Sequence, residues 1–317
     1  MVVRKTATRP NQSVSLTTYI DEWLTTYKAT TVKPATYDRL LTSVRALAGF
    51  AIAEMPIGEI TSFHIQQYVN ELAGKGYGLS TIKKQMRIVT APLKQASALH
   101  IIPADPGIGI RLPARCHIRK AEASVEAYSQ EEQEALRGEL ETFSRPAYAV
   151  ILMMLETGLR AGEALALRWR DIHLPRKRLE VRSTVVRLAN KKQSYVQDSA
   201  KSEASNRVIP LTPYAVRLLE GLSQGGRGEW VFTDAEGDRL SYEALRYQTQ
   251  CACRDVGIAY KGEHIFRHTF ATNCYYKGMD VKILSKLLGH ADVNITYNIY
   301  VHLYGDGFEE MYSALVR

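Results

Sequence analysis

The sequence predicts a mainly α protein in two parts, a helical bundle followed by an α+β domain, and three observations carry that prediction. Its 317 residues suit about two domains, each able to bury a core of its own. Up to residue 102 the apolar residues recur at helical spacing, with no alternating stretch among them. Between Arg178 and Pro210 the pattern turns to short strand-like runs joined by polar segments, after which helical spacing returns.

The elements follow in chain order. Ser15–Lys28 sets Leu16, Tyr19, Ile20, Trp23, Leu24 and Tyr27 on one helical face. Pro34 opens a second helix, at the early position where its missing N–H costs nothing, and Tyr37, Leu40, Leu41, Val44 and Leu47 carry it to Gly49. A third covers Ser62–Leu72 and stops at Gly74 and Gly76; a fourth runs from Ser80 to about His100 and bears Lys83, Lys84, Arg87 and Lys94. Pro103, Pro106, Gly107, Gly109 and Pro113 then end the periodicity, and Arg111, Arg115, Arg119 and Lys120 make this stretch basic. Ser129 and Glu132 form a capping box for a helix to about Glu141, and Ala147–Glu156 reads as a buried helix closed by Gly158. Strands are expected at Leu179–Val186, Tyr195–Val196 and Val208–Ile209, and helices at 213–222, 241–256, 264–277, 280–288 and about 306–315. The expected division is a basic tail over 1–14, a helical domain over 15–107, a basic linker over 108–124, a mixed domain over 125–305 and a C-terminal helix over 306–317. In that last helix Phe308, Met311, Tyr312 and Leu315 form a stripe that must bury itself against its own domain or a neighbouring copy.

Charge is unevenly placed. Residues 1–120 hold 16 Lys and Arg against 7 Asp and Glu, whereas residues 121–317 hold 25 against 26. The basic excess therefore sits in the first part, which points to an anionic partner, nucleic acid or membrane surface. No apolar run approaches the ~18 residues of a membrane span, and Met1–Gln12 is polar and basic, unlike a secretory leader. Cys116, Cys251, Cys253 and Cys274 follow neither a zinc spacing nor a disulfide framework and read as buried thiols of a reducing cytosol.

Familiar chemistries fail on spacing. There is no phosphate-cradling G-x-x-x-x-G-K-[ST] run. His264 and His268 stand four apart, as in a zinc helix, but Ile265 occupies the position of the required Glu and Arg267 would crowd the ion. What remains is a set of cations and imidazoles in short, turn-bounded segments: Arg160 and Glu163 in Thr157–Glu163, His264, Arg267 and His268 in His264–Thr272, His290 after Leu287-Leu288-Gly289, and Tyr300 ten residues on. Taken singly, each has a plain reading. Arg160 could be a solvated helix-start arginine, His264 and Arg267 an ordinary helix face, and His290 a C-terminal cap. Tyr300 is one of 18 tyrosines, with Tyr297 and Tyr304 one turn away on either side.

In order and together, these segments resemble the tyrosine recombinases of the phage-integrase family, in particular integrases of conjugative transposons and temperate phages of Gram-positive bacteria. The resemblance covers about Tyr128 to His302 closely; in the first part it is one of pattern, a basic helical bundle and proline-containing linker like the family's core-DNA-binding domain. Residues 1–14 are too short for the additional arm-binding domain that many relatives carry. The resemblance implies that Arg160 and Arg267 clamp the scissile phosphate, planar forks suiting its two non-bridging oxygens, and that Tyr300 attacks it and holds the strand as a 3′-phosphotyrosine. It implies Lys201, within Ala200–Leu211, as the proton donor to the departing 5′ oxygen, His264 as acid/base partner and His290 as a hydrogen-bond donor to the phosphate. Glu163 would orient the site, with His268 beside it. One ester replaces another, so neither metal nor other cofactor is expected.

The implied activity is site-specific recombination, integration and excision of a mobile element, by a clamp around duplex attachment sites that assembles as a tetramer. A DNA-bending protein and an excision factor are the expected helpers, in a bacterial cytoplasm. Lys83, Lys84, Arg87, Lys94, Arg111 and Arg115 are the expected DNA contacts. Two rivals remain: a type IB topoisomerase-like relaxase that shares the chemistry but acts as a monomer, and a catalytically silent DNA-binding protein on the same fold.

Overall fold

The computed structural model describes residues 12–113, 127–188, 194–198, 206–224, 228–290, 292–294 and 296–297. They fall into two compact units, one of residues 12–113 with 187–188 and the other of residues 127–186 and the described residues from 194 on.

In the first unit, Ser15 caps helix α1 (Leu16–Tyr27), its hydroxyl accepting from the Thr18 N–H, and Leu16, Ile20 and Leu24 lie wholly buried. Pro34 is the first residue of α2 (Pro34–Leu47). Two short 3-10 turns follow, Ala51–Glu54 and Ile57–Glu59, burying Ile52, Ala53 and Ile57; each is too brief for periodicity to reveal. Helix α3 (Ser62–Gly74) starts at a Thr61 cap whose backbone N–H donates to His64 Nδ1 at 3.2 Å. Helix α4 (Leu79–Ala98) contains Pro92, whose ring is buried in the bundle. Trp23 Nε1 donates to Gln95 Oε1 at 2.8 Å and the Tyr68 hydroxyl to Gln85 Oε1 at 3.1 Å, so these core polar groups are paired. Chain entry and exit are also tied: Gln12 donates to the Ile101 carbonyl, and Gln66 both accepts from and donates to the Arg111 backbone at 2.8 and 3.0 Å. Ile110 and Leu112 pack on this core, so residues 110–112, read from sequence as linker, belong to the packing of the bundle.

The second unit is built round α6 (Pro146–Thr157), in which every residue from Ala147 to Leu155 is buried. Helices α5 (Gln130–Leu140), α8 (Pro213–Ser223), α9 (Tyr242–Asp255) and α10 (His264–Tyr276) pack on it, and α11 (Val281–Leu288) packs on α10. The capping box at Ser129 and Glu132 is present. A short helix α7 (Ala161–Leu165) leads towards the strands.

Strands β1 (Ile172–His173), β2 (Arg178–Val181) and β5 (Arg207–Pro210) make an antiparallel sheet in the order β1-β2-β5, with Leu179 opposite Ile209. Strands β3 (Ser183–Arg187) and β4 (Ser194–Asp198) form a separate pair. The single strand expected over Leu179–Val186 is therefore two strands in two sheets. Residues 179, 181, 183 and 185 are all buried, so alternation passes through Arg182 unbroken while the pairing partner changes there. A period of two reports which face is covered; the identity of the partner strand leaves no mark on it.

Cys251 and Cys253 are buried free thiols and Cys274 is half-buried. Among the described residues no helix is long and apolar enough to cross a membrane. The expected helix at 306–315 and residues 1–11 lie outside the described residues.

Candidate active site

The site forms where α6, α10 and α11 end or begin next to one another. Gly158 closes α6 in the left-handed conformation (φ 66°), and a β-carbon there would collide with the Phe270 ring, so this turn requires glycine. Arg160 then stands at the N-cap of α7. Its backbone N–H donates to Glu163 Oε2 at 2.9 Å, and its guanidinium donates to Glu163 Oε1 at 2.7 Å and to the Gly289 carbonyl at 3.3 Å. Arg267, on α10, is 2% exposed and donates to the carbonyls of Gly158 (3.0 Å) and Leu288 (2.5 Å).

A third arginine joins them. Arg207, the first residue of β5, donates Nη1 and Nη2 to the two Glu163 oxygens at 3.1 and 2.7 Å, and Nε to the Leu287 carbonyl at 2.7 Å. The three guanidiniums thus hold consecutive carbonyls, 287, 288 and 289, at the end of α11, where helix carbonyls lack internal partners and the dipole favours cations. The turn itself is a Schellman motif: Gly289 N–H donates to Lys286 and His290 N–H to Ser285. That geometry delivers His290 into the site. Its Nδ1 lies 2.8 Å from the hydroxyl of Thr296, which is fully buried.

Electrostatics follow from this crowding. Burial alone would raise the Glu163 carboxyl, but the hydrogen bonds and charge of Arg207, with Arg160 behind them, bring it down to about 2. His264 is lowered to about 4 by burial and then by His268, Arg267 and Arg160. His290 is lowered to about 4 by burial and then by Arg267, Arg160, His264 and Arg207. His268 is lowered as well, by burial and Arg267, and its ring meets that of His264 edge-on with centroids 4.7 Å apart. Both site imidazoles are therefore neutral at pH 7, among three permanent cations and one carboxylate. The surplus positive charge suits an anion carrying several oxygens, and the uncharged rings stay free to give or take a proton.

The structure thus brings together Arg160, Glu163, His264, Arg267 and His290, with His268 packed behind His264. Lys201 and Tyr300 lie outside the described residues; β4 and β5 flank the first, and the second follows helical residues 296–297. Arg207 escaped the sequence reading as a site residue. A signal existed: in a strand it shares a face with Ile209, which is buried, so its charge had to point inward.

In the first unit Lys83, Lys84, Arg87 and Lys94 are all exposed on α4, opposite buried Ile82, Gln85, Ile88, Val89 and Leu93. Lys84 and Arg87 join Lys28 and Arg39 along a groove of about 610 Å³ floored by Trp23 and Leu40. Arg111 has an exposed side chain on a fixed backbone, and Arg115 lies outside the described residues.

Residues 127–306 match the phage integrase family, and residues 15–73 match the phage integrase N-terminal SAM-like domain. A "Tyrosine recombinase XerC-like" protein of Caldanaerobacter subterraneus subsp. tengcongensis is 28% identical over 92% of this chain and 80% of its own length. A fragment of the integrase of transposon Tn1549, solved with transposon right-end DNA, superposes with a TM-score of 0.79 at 17% identity, covering 96% of this chain and 100% of that fragment. A lambda integrase tetramer bound to a Holliday junction gives a TM-score of 0.66 at 18% identity, over 90% of this chain and 77% of that one.

Proposed function

The chain belongs to the phage integrase family of tyrosine recombinases, and from that membership we propose how its site carries out site-specific recombination of DNA. The Tyr300 phenolic oxygen attacks the scissile phosphorus as the bond to the 5′ oxygen breaks, leaving a 3′-phosphotyrosine. Lys201 supplies the proton that the departing 5′ oxygen takes up, and His264 receives the phenolic proton. A 5′ hydroxyl from the partner duplex then reverses these steps on the new strand. Arg160 and Arg267 balance the charge that builds on the non-bridging oxygens, the contribution that acts most strongly in the transition state. His290 donates to the same phosphate, and Glu163 holds Arg160 in place.

The observation that carries this reading is the convergence of three guanidiniums on the helix end that presents His290, with His264 close enough to feel Arg160 and Arg267. Around it, the helical unit serves as the core-DNA-binding domain, over about 15–107, and the mixed unit, over about 125–305, as the catalytic domain. Four protomers act on two duplex attachment sites, with a DNA-bending protein and an excision factor assisting in the bacterial cytoplasm, to integrate and excise a mobile element. Residues 306–317 dock on a neighbouring protomer.

Nicked attachment-site DNA, which traps the covalent stage, tests the reading. The full chain should yield a denaturant-resistant protein–DNA adduct, and Tyr300→Phe should bind the same DNA and yield none. An adduct persisting in that variant, mapped to Tyr297 or Tyr304, would overturn the assignment. Plasmid relaxation with no recombinant product would instead mark a topoisomerase.

A further inference from the structure

His290 is a neutral ring with one proton to place on two nitrogens, and the structure shows what stands at one of them. Nδ1 lies 2.8 Å from the Thr296 hydroxyl, and Thr296 has no solvent exposure. A buried hydroxyl at that distance either donates to a bare Nδ1 or accepts from a protonated one. The two cases leave opposite chemistry at Nε2. If Thr296 accepts, Nε2 presents a lone pair, which repels a phosphate oxygen. If Thr296 donates, Nε2 carries the N–H, which a phosphate oxygen accepts.

We propose that Thr296 is a positioning residue for His290, its hydroxyl donating to Nδ1 and so fixing the ring with its N–H donor on Nε2 for the transferring phosphate. This rests on the reading of the site as a phosphoryl-transfer centre. It adds a residue that acts through another side chain. Second partners of this kind fix tautomer and ring direction wherever an imidazole does chemistry. The placement of Thr296 has a further use. It stands four residues before Tyr300 in the sequence, so the hydroxyl that orients the phosphate-binding ring is carried on the segment that leads to the nucleophile.

The test uses the full chain labelled with 15N at histidine, the His290 ring being assigned by its loss in His290→Gln. The unsubstituted protein should show the Nε2–H tautomer. Thr296→Ser, which keeps the hydroxyl, should retain it, and Thr296→Val, which keeps the shape, should give the Nδ1–H form or a mixture. Single-turnover cleavage of nicked DNA should fall roughly ten-fold in Thr296→Val, the scale of one lost hydrogen bond, with DNA affinity unchanged and with Thr296→Ser within about two-fold. Thermal melting checks the fold of each variant; if Thr296→Val fails to fold, Thr296→Ala takes its place under the same expectations. A tautomer and rate unaltered by loss of the hydroxyl would overturn the proposal. If no variant and not even the unsubstituted chain forms an adduct, the phosphoryl-transfer reading fails, while the ring spectra still report separately whether Thr296 sets the tautomer.

Discussion

A histidine held neutral among arginines couples stability to pH. His264 and His290 each titrate near 4 in the folded chain, against about 6.5 when unfolded. Below about 6.5 the unfolded chain binds protons that the folded chain refuses, so stability falls as pH drops towards 4, below which both states are protonated. Glu163, held near 2, adds its own loss only below about 4.5. Thermal melting of the full chain should therefore decline between pH 6.5 and 4.5, and the double variant His264→Gln, His290→Gln should show a shallower slope over that interval. An identical slope in the double variant would refute the coupling. At this scale Arg160, His264, Arg267 and His290, which the structure brings together, were legible in the sequence because each sits in a short motif with its own spacing. For Arg207 strand alternation marked an inward charge but not its role, which is set by partners 44 residues away at Glu163 and 80 away at Leu287. Thr296 was hidden for the opposite reason: a threonine in a short helical turn has no spacing that sets it apart.

Secondary structure was most legible where the chain supplies its own punctuation. Ser15, Pro34, Ser129 and Gly158 mark helix ends that local chemistry enforces, and the helices stand there in the structure. The strand region was legible as strand but not as topology, since the change of sheet at Arg182 follows from which partners arrive rather than from the residues themselves. Helix α7 shows how closely the second sheet pair approaches the site. A β-carbon on Gly162 would lie 2.6 Å from both Thr184 Oγ1 and the Val185 carbonyl and 2.7 Å from the Tyr242 hydroxyl. Gly162 lies between Arg160 and Glu163, so a shift forced there moves the carboxylate and the guanidinium it orients. Gly162→Ala should lower stability by about 1–3 kcal/mol, the usual cost of overpacking, and slow cleavage of nicked DNA, both measured against the unsubstituted chain by urea unfolding and single-turnover assay. Retention of full stability would mean that β3 and α9 yield without cost.

Across the whole molecule, charge is divided unevenly. The basic excess lies in residues 1–120, while the second part is close to neutral overall and sets three of its arginines at one site. DNA affinity should then come largely from the first part, through counterion release. A Lys83→Ala, Lys84→Ala, Arg87→Ala variant should weaken binding to all duplex sequences alike and reduce the log–log salt slope by about one unit for each phosphate left without its cation. A slope equal to that of the parent would show that this exposed face of α4 is merely solvated.

The three arginines on consecutive carbonyls also determine where this chain tolerates changes in length. Each residue of an α-helix turns its end by about 100° and advances it by about 1.5 Å. One residue added to α11 or removed from it would present the wrong carbonyls to Arg160, Arg207 and Arg267 and swing His290 out of its place. Surface connections elsewhere can lengthen at small entropic expense, so drift in loop length among descendants of this chain is expected outside α11, whose eight residues act as a fixed gauge between the Asp280 cap that begins it and the histidine that follows its closing glycine.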